Sequence, residues 1–87
     1  MIRIVADVRL FTIDGDRTTD LMEIELPEGS NVLNLLEKLA VHFPNTVIID
    51  KNKISYVLCL MENKSVTLNR VLQHGDKIII CPLMDGG

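Results

Sequence analysis

The sequence predicts an α+β fold in which one helix packs across one face of a mixed sheet of four to five strands. Apolar residues alternate with a period of two near the start of the chain. They recur with helical spacing in the middle and return as short apolar runs toward the end. Hydrophobic residues make up 47% of the 87 residues, which suffices for one domain with its own core.

The first two strands are predicted to form a hairpin. Residues 2–10 alternate between a charged face and an apolar face, and the apolar face comprises Ile2, Ile4, Ala6, Val8 and Leu10. Asp14-Gly15-Asp16 then marks a turn, in a loop longer than two residues. A second alternation follows, with Met22, Ile24 and Leu26 on its apolar face.

The pattern next changes to that of a helix. Apolar residues at i, i+3, i+4, i+7 and i+11 form one stripe, which comprises Val32, Leu35, Leu36, Leu39 and Phe43. Ser30 or Asn31 is expected to cap the N-terminus, and Pro44 is expected to end the helix. The stripe is interpreted as the part of the core that covers the sheet.

Two or three more strands complete the prediction. Ile54–Met61 is apolar on both faces, as in an inner strand, and Glu62–Ser65 is predicted as a turn before a short strand from Val66. After the tight turn at 74–76, Lys77 to Cys81 is predicted as the last strand, ended by the proline that follows. The order β-β-α-β-(β)-β, with the first and last strands side by side at the centre, is the β-grasp arrangement.

Charge and composition exclude several partners. The net charge is −3 and only three residues are aromatic, so neither a basic phosphate-binding surface nor a stacking platform is expected, and nucleic acid is not an expected partner. No apolar stretch approaches the ~20 residues of a membrane span, and the first residues show a strand pattern rather than a signal peptide. Cys59 and Cys81 lie in apolar runs, as expected for buried thiols in a reducing cytoplasm.

The chain ends in Gly86 and Gly87, after the last apolar run. Two glycines tolerate almost any backbone conformation, so such a tail can enter a narrow slot on another protein. Residues 1–82 are therefore expected to form the domain, and residues 83–87 a flexible tail. Leu83 and Met84 are expected to bind a partner, because apolar residues on a tail lie beyond the reach of the domain's own core.

The chain resembles the small sulfur-carrier proteins of the MoaD/ThiS type, which share the ubiquitin-like β-grasp fold. The resemblance covers nearly the whole chain. It rests on the strand-to-helix segment Leu26–Leu36, the Gly-Asp turn within Val71–Ile78, and the end Cys81-Pro82-Leu83-Met84-Asp85-Gly86-Gly87. That end is similar to the Pro-x-x-x-Gly-Gly tail of the small subunit of molybdopterin synthase.

The resemblance implies a carrier that is not itself an enzyme and binds no cofactor or metal. The Gly87 carboxylate would be adenylated with ATP by an activating enzyme and converted to a thiocarboxylate, and Gly86 would let the tail thread into that enzyme. Pro82 joins Leu83 and Met84 as an expected partner contact. The sulfur would pass to an accepting enzyme such as the large subunit of a synthase.

Three alternatives stay open. The first is a ubiquitin-like modifier conjugated through Gly87. The second is a carrier that serves thiamin or another sulfur-containing metabolite. The third is an interaction module whose tail carries no chemistry.

Overall fold

The computed structural model describes residues 1–49, 52 and 55–83, and it confirms the β-grasp prediction. One helix, α1 (Val32–His42), lies against a mixed sheet. The strands are β1 (Ile2–Phe11), β2 (Arg17–Leu26), β3 (Val57–Met61), β4 (Lys64–Ser65) and β5 (Lys77–Pro82). Their order in the sheet is β2-β1-β5-β3-β4.

The hairpin forms as predicted. β1 and β2 pair antiparallel over their full length, from Ile2 opposite Leu26 to Phe11 opposite Arg17. The connecting loop spans residues 12–16 and includes Gly15 with φ of 89°. A side chain is strained at that backbone conformation, which explains the glycine.

The two ends of the chain meet at the centre of the sheet. β5 runs parallel to β1, with Val5 opposite Lys77 and Val8 opposite Ile80. On its other side β5 runs antiparallel to β3, with Cys59 opposite Ile80. The last strand is therefore held from both sides.

The helix begins and ends close to the predicted residues. Asn31 is the N-cap, and it forms a capping box with Asn34 through hydrogen bonds of 3.0 and 2.9 Å. Ser30, the other predicted cap, instead donates its hydroxyl to the Pro27 carbonyl at 2.7 Å. Pro44 follows the helix directly after its C-cap residue, as expected.

The core lies between α1 and one face of the sheet. The four helical positions Val32, Leu35, Leu36 and Leu39 have no exposed surface, and Phe43 is partly buried beside them. The apolar face of β1 is buried throughout. Two residues outside the regular elements, Ile48 and Leu72, are also buried and contribute to the core.

The chain after the helix departs from prediction. β3 begins at Val57, and Ile54 lies outside the described residues. Only Glu62 and Asn63 form the turn, both with positive φ, at 53° and 65°. Two such residues make the tight connection that antiparallel strands favour, so pairing resumes at once in β4. Val66 lies outside β4, and its N–H donates to the Cys59 carbonyl at 3.0 Å.

The two cysteines lie on opposite faces of the sheet. Cys59 is buried in the core, and burial, with a smaller contribution from the charge of Cys81, raises the pKa of its thiol to about 12. Cys81 is partly buried and donates its thiol to the Leu58 carbonyl at 3.6 Å. Both are free thiols, and Cys59 is a protonated core residue at neutral pH.

The helical stripe yields the first prediction. Leu36→Ala is expected to lower the free energy of unfolding by about 2–5 kcal/mol, because it removes a fully buried side chain and leaves a cavity. Val41→Ala on the same helix is the matched control, since Val41 is 81% exposed and its truncation should cost less than ~0.5 kcal/mol. Urea unfolding measures both. A loss below about 1 kcal/mol for Leu36→Ala would contradict the packing of α1 on the sheet.

Candidate functional site

The predicted site comprises the tail, residues 83–87, and the end of β5 that leads into it. Of these residues the structure describes Pro82 and Leu83, which we call the tail root. Pro82 is the last residue of β5 and lies opposite Val57. Leu83 follows, with its N–H donated to the Tyr56 carbonyl at 3.3 Å and its side chain 58% exposed. Met84, Gly86 and Gly87 lie outside the described residues.

Pro82 limits pairing on one side of β5 only. In an antiparallel ladder, neighbouring residues direct their N–H groups to opposite sides. The Leu83 N–H points to β3, so the ring nitrogen of Pro82 points to β1 and offers no donor there. Pairing with β1 therefore stops at Ile80, while contact with the β3 side continues to Leu83. The predicted end of the ladder at Pro82 holds for the β1 side.

Exposed aromatic residues lie at the end of the sheet from which the tail leaves. β1 and β5 are parallel, so Phe11 at the end of β1 lies at the same end as Leu83. Tyr56 precedes β3, which runs antiparallel to β5, and so lies there too. Phe11 is 48% exposed and Tyr56 is 47% exposed. Sequence reasoning missed both, because only the strand directions and the sheet order bring them to the same end of the sheet.

The sheet face opposite α1 continues this apolar surface. Residues 58, 60, 79 and 81 alternate with the buried positions of β3 and β5, so they lie on this face, and each is half-buried. Asp7 lies opposite Ile79, and its carboxylate receives two hydrogen bonds from Arg9, at 2.9 and 3.1 Å. The hydrogen bond to Asp7 and the charge of that carboxylate raise the pKa of the Arg9 guanidinium.

A cavity lies at the opposite end of the sheet from the tail. Its volume is about 410 Å³, and its walls are the β3–β4 turn and the turn before β5, including Glu62, Asp76 and Lys77. Because Lys77 begins β5, the cavity is separated from Leu83 by the length of that strand. It is therefore no part of the tail site.

Within 1–49, 52 and 55–83, no three His, Cys, Asp or Glu side chains cluster as metal ligands would. No helix in this part of the chain is long and apolar enough to cross a membrane. His74 has a structural role, since its Nδ1 accepts the Arg3 backbone N–H at 3.1 Å.

Three solved structures illustrate what the fold is similar to. Small archaeal modifier protein 1 of Haloferax volcanii superposes with a TM-score of 0.71 at 14% identity, over 97% of this chain and 100% of that one. A putative molybdopterin converting factor, subunit 1, from Pyrococcus furiosus superposes at 0.63 with 21% identity, over 97% and 100%. A ubiquitin from Caldiarchaeum subterraneum superposes at 0.55 with 11% identity, over 95% and 99%.

At these identities the likeness shows the fold alone. No curated protein matches the chain significantly. The ThiS family model matches residues 8–87, which include the end of β1, the other four strands, the helix and the tail. The chain therefore belongs to the ThiS family.

Proposed function

We propose that this chain is a sulfur carrier whose Gly87 carboxylate is adenylated by a partner enzyme and converted to a thiocarboxylate. The observation that carries the proposal is the position of β5. A strand held on both sides leads into Pro82 and the exposed Leu83, and the sequence continues from there to Gly86 and Gly87. The folded domain is thereby joined directly to a short tail that ends in two residues without side chains.

The chemistry requires an activating partner. An α-carboxyl group has a pKa of about 3.5, so at neutral pH it is an anion that resists nucleophiles. Attack of this carboxylate on the α-phosphate of ATP forms an acyl-adenylate and releases pyrophosphate. A sulfur donor then attacks the carbonyl carbon and displaces AMP, which leaves a thiocarboxylate. The thiocarboxylate is the better nucleophile and can pass its sulfur to an acceptor.

In this proposal the chain supplies the reactive carboxylate, and the partner enzymes supply the catalytic groups. ATP and the sulfur donor act on the partner, and the chain itself binds no cofactor in this proposal. Cys59 and Cys81 lie on opposite faces of the sheet and form no disulfide with each other, which fits a cytoplasmic location.

The pathway we favour is the formation of molybdopterin, with the large subunit of a synthase as sulfur acceptor. The Pro-x-x-x-Gly-Gly ending and the fold shared with the Pyrococcus furiosus protein support this choice. A ubiquitin-like modifier joined to lysines through Gly87 is the second candidate, favoured by the superposition on a small archaeal modifier protein. A carrier for thiamin or another sulfur-containing metabolite uses the same first two steps.

Docking of the tail root is proposed to orient the carboxylate. Binding through two glycines alone would cost conformational entropy for little contact. Pro82, Leu83 and Met84 join the body to the reactive end, and exposed Phe11 and Tyr56 lie at the same end of the sheet. An apolar pocket on the partner would bind this group of side chains.

The reactive end can be tested by intact-mass spectrometry. With its cognate activating enzyme, ATP and a sulfur donor, the chain is expected to gain the mass of one sulfur atom in place of one oxygen. A variant with one alanine added after Gly87 is the matched control, and it should stay unmodified while it folds normally. An unchanged mass with a demonstrably active enzyme would exclude the carrier. Lysine conjugates without a thiocarboxylate would instead support the modifier.

The docking group is tested by Leu83→Ser combined with Met84→Ser. The free energy of unfolding should change by less than ~0.5 kcal/mol, because Leu83 is exposed. Affinity for the activating enzyme should fall by at least about 1 kcal/mol if these side chains fill a pocket. Val41→Ser, an exposed apolar substitution on α1, is the control that should leave binding unchanged. Normal binding by the double variant would place docking on the sheet face that bears Arg3, Val5 and Asp7.

A further inference from the structure

β2 is a long strand at the edge of the sheet. It has ten residues and pairs with β1 on one side only. The other edge of the sheet ends in β4, which has two residues. Long, exposed edge strands readily pair with another chain, so proteins usually shorten or cover them.

The hydrogen-bond pattern shows which backbone groups of β2 face outward. Beyond the end of the hairpin ladder, the Thr12 N–H donates to the Asp16 carbonyl at 2.7 Å. Hydrogen-bonded and non-bonded pairs alternate along an antiparallel ladder, so the even-numbered residues of β2 bond to β1. The odd-numbered residues direct their N–H and C=O groups to the free edge. In agreement, the Glu25 carbonyl accepts a hydrogen bond from Lys38 Nζ at 2.9 Å.

Lys38 covers one end of this edge and leaves the middle open. Within the described part of the chain, no residue outside the sheet hydrogen-bonds to the outward groups of Thr19, Leu21 or Glu23. Leu21, at the centre of the three, is 64% exposed. The open segment therefore combines free backbone groups with an exposed apolar side chain.

We propose that the open segment of β2 pairs antiparallel with the same segment of a second copy of this chain, about a two-fold axis at Leu21. In this register the two Leu21 residues face each other, and Thr19 lies opposite Glu23 of the second copy. All three outward-facing residues then exchange both backbone hydrogen bonds. Arg17 lies opposite Glu25 of the second copy, once on each side of the axis.

Charge selects this register from its neighbours. A two-fold axis at Glu23 or at Asp20 would place two carboxylates directly opposite each other, which destabilises a strand pair. An axis at Met22 would leave Arg17 beyond the end of β2 in the other copy, so no Arg17–Glu25 pair would form. The axis at Leu21 sets no like charges opposite each other and forms two Arg17–Glu25 pairs between the copies.

The geometry leaves the proposed tail site free. Because the pairing reverses strand direction, β5 of the two copies ends at opposite ends of the joined sheet. Each tail root therefore remains accessible, and this inference does not depend on the chemistry proposed for Gly87. The contact covers one short segment of a single strand, so we expect weak association that is visible only at high protein concentration.

Two charge reversals test the register. Sedimentation of the unaltered chain between about 10 µM and about 1 mM should show the mass rising from 9.8 kDa toward that of a dimer. Arg17→Glu alone, or Glu25→Arg alone, sets like charges opposite each other at both ends, so each variant should remain a monomer. An equimolar mixture of the two variants restores both opposite-charge pairs and should dimerise. Lys64→Glu, on the far edge, is the control and should dimerise normally.

Thermal unfolding checks that each variant folds, which the exposed positions of Arg17 and Glu25 favour. A chain that stays monomeric at the highest concentration overturns the proposal. Dimerisation that neither reversal weakens, or two monomeric variants whose mixture also stays monomeric, overturns it as well. Slower exchange of the Leu21 amide hydrogen at high than at low protein concentration would support the proposal.

Discussion

The parallel pairing of β1 with β5 is the contact on which the rest of the structure depends. It joins the first and last elements of the chain, which no local interaction brings together. Closing so long a loop costs entropy, and the burial of Ala6, Val8, Ile78 and Ile80 against α1 offsets that cost. Once β5 is paired with β1, its other edge pairs with β3, and its last residue determines where the tail begins.

The two faces of the sheet differ in how deeply their side chains are buried and in the role that we propose for them. The face under α1 is filled by aliphatic side chains and contains almost all of the buried residues. The opposite face is half-buried around β3 and β5, and it leads to exposed Phe11, Tyr56 and Leu83 at the tail root. The stability of the body and its recognition by a partner thus rest on separate side chains, which is why substitutions can address them independently.

Much of the fold followed from the sequence because its periodicities are strong. The alternation in β1, the helical stripe and the Gly-Asp turn before β5 each correspond to an element in the expected place. The short strand β4 was misplaced, because its turn uses Glu62 and Asn63 at positive φ rather than glycine. Burial of Ile48 was also missed, since the apolar residues 47–49 form a short run with no alternating or helical periodicity.

The site was only partly predictable. Pro82 and Leu83 stand out in the sequence, but Phe11 and Tyr56 join them only through strand direction and sheet order. Near Pro82 the pairing with β1 ends while contact on the β3 side continues. This difference likewise depends on which strand the ring nitrogen of Pro82 faces. The spacing of nearby residues predicts neither the position of these aromatic residues nor the orientation of Pro82, because both arise from the pairing of distant segments.

Amide hydrogen exchange at Ile78 and Ile80 tests the central claim most directly. The two N–H groups point to β1, on the same side as the ring nitrogen of Pro82. If the β1–β5 pairing holds the body together, both amides exchange only through global unfolding, with the same free energy that urea unfolding gives. Exchange of these amides through a smaller local opening, while the β1–β2 amides stay protected, would contradict the account.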